Sequence, residues 1–117
     1  MPVHSASEGE VLTILLTDPK ILDAPTIEQI YRDIVAILER TEQPKVLLDF
    51  KPVKFMSSSA LGMLIRVNKK CQEFKVNLKL CNIEPDIKQV FKITGLDKLF
   101  TIYKTAEEAH AAFAKRF

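Results

Sequence analysis

The chain has 117 residues, a length that suits one domain with a single core. Hydrophobic residues make up 47% and charged residues 27%, a balance typical of a soluble globular protein that excludes a disordered chain. The net charge of +2 gives no electrostatic case for nucleic-acid binding, and no apolar run approaches the ~18 residues of a membrane span. The first residues lack a secretory signal pattern, so we expect a cytoplasmic protein without membrane insertion.

The hydrophobic pattern predicts an alternation of strands and helices. We expect residues 1–9 to be a partly ordered lead-in and residues 10–117 to form the domain. Apolar, β-branched runs predict strands at 10–17, 45–50, 75–82 and 99–103, and a short strand or extended connector at 20–23. Helical periodicity and terminal signals predict helices at 23–41, 58–74, 84–95 and from 105 onward. This order predicts an α/β fold with about four flanking helices, in which helical crossovers join parallel strands of the sheet.

Three of the five serines stand together at Ser57, Ser58 and Ser59, between a predicted buried strand and a predicted helix. A hydroxyl at this position can accept from the unpaired N–H groups of the first helical turn. A phosphoryl group there would interact favourably with the helix dipole. From the residues alone, the serines either cap the helix or form a site that faces a partner.

Other candidate sites have structural explanations. Cys71 and Cys81 lie in apolar segments and are expected to be buried thiols, neither a disulfide framework nor a metal site. The carboxylates of Asp18, Asp23 and Asp49 suit helix caps and turns.

No catalytic or cofactor site is expected. A serine hydrolase would need a general base, but His4 lies in the lead-in and His110 in the last helix. The three glycines form neither a phosphate-binding loop nor a dinucleotide fingerprint. We therefore predict a protein that is not an enzyme and has no cofactor or metal.

Three stretches carry a resemblance to a known family. They are Val46-Leu-Leu-Asp-Phe, Val53-Lys-Phe-Met-Ser-Ser-Ser-Ala-Leu-Gly-Met-Leu and Ile93-Thr-Gly-Leu-Asp-Lys-Leu-Phe, with support from Leu22-Asp-Ala-Pro-Thr. Together they resemble the STAS domain of bacterial anti-sigma factor antagonists over about residues 10–115. The resemblance implies the STAS fold, a single α/β domain with a mixed sheet of about four to five strands flanked by about four helices.

The resemblance also implies a function in regulating transcription by partner switching. In that family the antagonist binds an anti-sigma factor that is also a serine kinase, and so releases the sigma factor. Phosphorylation of one serine ends the binding, and a serine phosphatase restores it. The corresponding residue here is Ser58, with Ser57 and Ser59 as alternative acceptors.

The sequence departs from the family motif, which usually reads Asp-Ser-Ser-Gly-Leu-Gly, at two positions. Ser57 stands where the family has aspartate, and it can supply the capping hydrogen bond but not the negative charge. Ala60 replaces a glycine, which favours the helix by about 1 kcal/mol. We expect its methyl group to lie where a kinase would need close approach.

The predicted partner-binding surface surrounds Ser58. Its members are Asp23, Met56, Ser57, Ser58, Ser59, Leu61, Met63 and Leu64. Two other functions stay open: a non-phosphorylated STAS subunit of a larger assembly such as a transporter-associated complex, and a small anion- or nucleotide-binding domain.

Overall fold

A computed structural model of the protein describes residues 3–115. The strands are β1 (Val3–Glu8), β2 (Val11–Leu16), β3 (Lys20–Ile21), β4 (Lys45–Asp49), β5 (Phe55–Met56), β6 (Asn77–Cys81) and β7 (Thr101–Tyr103). The helices are α1 (Ala24–Arg40), α2 (Ser58–Glu73), α3 (Pro85–Thr94) and α4 (Ala106–Ala114), with a 3-10 turn at Leu96–Lys98.

Five strands form one mixed sheet in the order β1-β2-β4-β6-β7. The pairing of β1 with β2 is antiparallel, and the other three pairings are parallel, as helical crossovers require. The predicted fold, a mixed sheet of four to five strands with four flanking helices, is confirmed.

The central strand β4 is buried on both faces of the sheet. Val46 and Leu48 belong to the larger core, which also holds buried side chains of α1, α2 and α3. Leu47 packs in a smaller core with Ala109 and Phe113 of α4. The nearly continuous apolar run of β4 therefore reflects helices on both sides, because each face of the strand needs apolar side chains.

The prediction of a partly ordered lead-in is wrong for the residues that form β1. This strand is antiparallel to β2, with Glu8 opposite Val11 across a turn at Gly9 and Glu10. The reason for the error is that every side chain of the strand after Val3 is exposed, so it shows no apolar alternation. Backbone hydrogen bonds to β2 hold this strand in the sheet, and the side-chain pattern does not predict them. Met1 and Pro2 lie outside the described residues.

Candidate functional site

A two-stranded parallel sheet brings the starts of α1 and α2 together. Lys20 pairs with Phe55, and Ile21 pairs with Met56. The carbonyl of Pro19 accepts from the backbone N–H groups of Lys54 at 2.8 Å and Phe55 at 3.0 Å. These bonds hold the segment before α1 against the segment before α2, so the three serines lie beside the α1 start.

Ser57 is the N-cap of α2, as the sequence predicted for this serine cluster. Its Oγ accepts from the backbone N–H of Ala60 at 3.2 Å, which satisfies one of the unpaired donors of the first turn. Ser58 and Ser59 follow in that turn, and both are exposed. The first turn contains no acidic residue, so no carboxylate of this turn would oppose a negative group on either serine.

The Asp23 side chain lies at the start of α1 and is exposed. One carboxylate oxygen accepts from the backbone N–H of Thr26 at 3.1 Å and from its hydroxyl at 3.0 Å. The backbone donor, followed by the hydroxyl, lowers the pKa of Asp23 below its ordinary value. Asp23 is therefore an ionised helix cap on the exposed surface.

The expectation about Ala60 is wrong, because its side chain is 0% exposed. It belongs to the larger core, beneath the first turn of α2. The methyl group that replaces the family's glycine thus points inward and adds no bulk at the surface around Ser58.

Three predicted members of the partner-binding surface lie in the core instead. Leu61, Met63 and Leu64 are 8%, 2% and 1% exposed, and all three belong to the larger core. Their helical spacing turns them toward the sheet and α1, so the apolar character of α2 serves folding. These side chains cannot contact a partner while the domain is folded, which corrects the sequence-based prediction.

Two exposed apolar side chains at this site were not predicted from the sequence. Leu22 is 49% exposed and Phe55 is 57% exposed, while the adjacent Met56 is half-buried against the core. The Lys20 ammonium lies 5.9 Å from the centroid of the Phe55 ring. Strands of two residues are too short to show alternation, so no periodic signal marked these side chains as exposed.

We call Leu22, Asp23, Phe55, Ser58 and Ser59 the α2-start surface. It combines two apolar side chains, one carboxylate and two hydroxyls on the adjoining starts of α1 and α2. Exposed apolar groups beside polar ones are typical of a surface that binds another protein.

The other acidic residues have the structural roles that the sequence predicted. Asp18 accepts from the backbone N–H of Lys20 at 2.9 Å. Asp49 accepts from the N–H of Lys51 at 2.9 Å and from the Asn82 amide at 3.0 Å. Within residues 3–115, no group of three potential ligands could hold a metal ion.

Neither cysteine is disposed to react. Both Cys71 and Cys81 are buried and unpaired. Burial raises the pKa of Cys71 to about 11, and burial together with the nearby Asp49 carboxylate raises the pKa of Cys81 to about 12. The prediction that both are buried thiols is confirmed.

The histidines are not placed to activate the serines. His110 lies on α4, which covers the sheet face opposite α2, and its Nδ1 is 3.7 Å from a carboxylate oxygen of Glu8. His4 is on β1 at the sheet edge. In the described part of the chain, no helix is long and apolar enough to cross a membrane.

Comparison with known proteins agrees with this architecture. A putative anti-sigma factor antagonist BtrV of Bordetella bronchiseptica is 28% identical over 93 residues, which are 80% of this chain and 79% of that protein. An anti-sigma-factor antagonist (STAS) domain protein from Planctomyces limnophilus has a similar structure, with a TM-score of 0.82 and 28% identity over 96% of this chain and 97% of that one.

A second structure, the phosphorylated form of the Bacillus cell fate determinant SpoIIAA, covers 95% of this chain and 98% of its own. Its TM-score of 0.69 and identity of 21% show a shared fold. Residues 8–109 match the model of the STAS domain family. The chain therefore belongs to the STAS domain family.

Proposed function

We propose that this protein is an anti-sigma factor antagonist that binds a kinase-type anti-sigma factor through the α2-start surface and is released by phosphorylation of Ser58. The observation that carries the proposal is the exposure of Ser58 in the first turn of α2, beside the exposed side chains of Leu22 and Phe55. Membership of the STAS family, and relatives named as antagonists, support the class of partner.

The proposed switch has an electrostatic basis. A phosphoserine carries about −1.5 to −2 charges at neutral pH. At residue 58 this charge would lie at the N-terminus of a helix of 16 residues, where the dipole and the unpaired N–H groups favour anions. The domain can therefore carry the phosphate without unfolding.

The same charge would disfavour binding of a partner at this surface. Contact with Leu22 and Phe55 requires the partner to bring an apolar, dehydrated surface against this part of the chain. A dianion trapped at such an apolar interface loses its water, which costs several kcal/mol. Phosphorylation would thus end binding through charge and bulk, with no change of fold.

Two observations favour Ser58 over Ser57 and Ser59 as the residue that receives the phosphoryl group. The Ser57 hydroxyl already accepts the capping bond from Ala60, and a phosphoryl group on its oxygen would disturb the helix start. Ser59 is exposed, but Ser58 is the residue that aligns with the family's phosphorylated serine. The absence of the family's aspartate at residue 57 removes a negative charge next to the proposed phosphate.

The first experiment maps the modification. The protein is incubated with ATP and its cognate serine kinase of the anti-sigma type, and the phosphate is located by mass spectrometry. We expect Ser58 to be modified, with loss of the phosphate in Ser58→Ala and its retention in Ser59→Ala. Absence of phosphate from all three serines would contradict the switch.

The second experiment measures binding to the same anti-sigma factor by calorimetry. We expect the unmodified protein to bind and the phosphorylated protein to bind at least 30-fold more weakly, about 2 kcal/mol. Gln72→Glu, which adds a charge on the exposed far end of α2, is the matched control and should bind normally. Equal binding by both phosphorylation states would contradict the proposal.

Two outcomes would favour the other functions. Recovery of membrane transporter subunits alone in a pull-down would favour a structural STAS subunit. Saturable binding of inorganic phosphate or a nucleotide, lost in Ser58→Ala, would favour an anion-binding domain at the α2 start.

A further inference from the structure

Strand β1 presents an open edge of the main sheet. Within residues 3–115 it pairs with β2 alone, and its residues from His4 to Glu8 are all exposed. Proteins commonly protect such edges with lysine, proline or a bulge. The strand contains neither residue type, and its register with β2 runs without a bulge from residue 3 to residue 16. The edge is therefore able to accept another strand.

The hairpin geometry identifies which backbone groups are available. The turn has two residues, and Gly9 at its first position has a φ of 61°, as a type II′ turn requires. Such a turn is closed by a hydrogen-bonded pair, here Glu8 and Val11, and hydrogen-bonded pairs then alternate along the strands. His4, Ala6 and Glu8 therefore bond to β2, while the N–H and C=O groups of Ser5 and Ser7 point outward.

We propose that β1 pairs with β1 of a second copy of this chain, antiparallel and about a twofold axis at Ala6, to join two five-stranded sheets into one. In this register Ser5 of one copy is opposite Ser7 of the other, and both exchange backbone hydrogen bonds with their outward groups. His4 of one copy is opposite Glu8 of the other.

The side chains of the strand suit this register. Ala6 would meet its own copy in a non-hydrogen-bonded pair, where the backbones are closest and a small side chain fits. The two symmetric pairs of His4 with Glu8 are also of this close kind, and they join an imidazole to a carboxylate. The strand is thus complementary to itself in hydrogen-bonding groups and size, which is what a twofold interface needs.

Neighbouring elements leave room for the second copy. A hollow of about 400 Å³ separates β1 from α1, lined by Ser5, Ser7 and residues of α1 such as Ile37 and Arg40. On the other face, the exposed Glu8 carboxylate lies 3.7 Å from His110 of α4. The opposite sheet edge, β7, offers three residues and a much shorter ladder.

The first test is sedimentation equilibrium of the full chain over concentrations up to about 1 mM, which detects weak association. We expect a reversible dimer with twice the monomer mass of 13.3 kDa. Ser5→Pro removes an outward N–H group that β2 does not use, so the variant should keep its circular dichroism spectrum and be monomeric. A monomeric wild type, or a folded Ser5→Pro variant that still dimerises, would overturn the proposal.

The second test addresses the register. His4→Glu places two carboxylates opposite each other in both symmetric pairs, and we expect the dimer to weaken by up to about tenfold. Adding Glu8→Lys to the same chain makes the pairs complementary again and should restore the dimer. A dimer that is indifferent to His4→Glu would overturn the register. Because none of these residues belongs to the α2-start surface, binding to an anti-sigma factor is tested separately.

Discussion

The backbone N–H of Ser57 donates to the carbonyl of Ile21 at 3.0 Å and joins the segments that precede α2 and α1. Continuing the parallel register of β3 and β5 past this bond places Leu22 beside Ser57. An exposed apolar residue from each segment therefore lies near the exposed Ser58 hydroxyl. This arrangement makes the start of α2 a surface that a partner can reach and a phosphate can alter.

Replacing Phe55 with alanine should weaken binding of the anti-sigma factor without affecting the fold. The ring is 57% exposed, so little core packing is lost, whereas truncating an aromatic anchor at an interface costs about 1–2 kcal/mol, or roughly tenfold in Kd. Calorimetric titration measures the change. Phe74→Ala, at the 40% exposed ring beyond the far end of α2, is the control and should bind normally. An equal loss in both variants would contradict a docking role specific to Phe55.

Replacing Met63 with alanine should lower the stability of the fold, and we expect no specific effect on the partner-binding surface. This side chain is 2% exposed in the larger core, and its truncation should lower the free energy of unfolding by about 2–5 kcal/mol. Urea denaturation followed by circular dichroism measures the loss, with Leu22→Ala as an exposed control that stays close to wild type. A stable Met63→Ala variant with impaired binding would instead support the original assignment of Met63 to the partner surface.

Replacing Ser57 with alanine should lower the free energy of unfolding by about 1 kcal/mol, because the Ala60 N–H loses its capping acceptor. Ser57→Asp restores the family's residue and adds a charge at the helix N-terminus, so its stability should equal or exceed that of the wild type. Ser59→Ala, in the same turn but exposed, is the control. Urea denaturation separates the three variants, and equal stability of Ser57→Ala and wild type would show that the cap contributes nothing measurable.

Alkaline pH should destabilise the protein through its two cysteines. The pKa of Cys71 is raised from 9.0 to about 11 and that of Cys81 from 9.0 to about 12, so both thiols ionise more readily in the unfolded state. Their contribution to stability is complete below about pH 9 and is lost as the pH rises toward 11–12. Denaturation between pH 8 and 11 measures the decline, which should be shallower in Cys71→Ala.

Thiol modification provides an independent check on the same residues. At pH 8 a disulfide reagent should react with neither cysteine in the native protein, since both are buried and protonated, and with both after addition of denaturant. Rapid modification of the native protein would contradict the buried state of the thiols.

Much of the fold follows from local patterns. The continuous apolar run at 45–50 predicted a strand buried on both faces, and the structure places helices on both sides of it. Asp23 and Thr105 predicted helix starts and do cap α1 and α4. Glu108 lies three residues after Thr105, but its carboxylate accepts from the N–H of Lys104 at 3.2 Å, one residue before the cap, so the two side chains do not form a regular capping box.

The sequence by itself determined the order of the elements, the fold class and the position of the serine cluster at a helix start. These features depend on periodicity and capping, which act between residues close in the chain. Only the tertiary structure decided which side chains around Ser58 face solvent. It buried Leu61, Met63 and Leu64 and exposed Leu22 and Phe55, because the pairing of β3 with β5 and the packing of α2 on α1 and the sheet join residues distant in the chain.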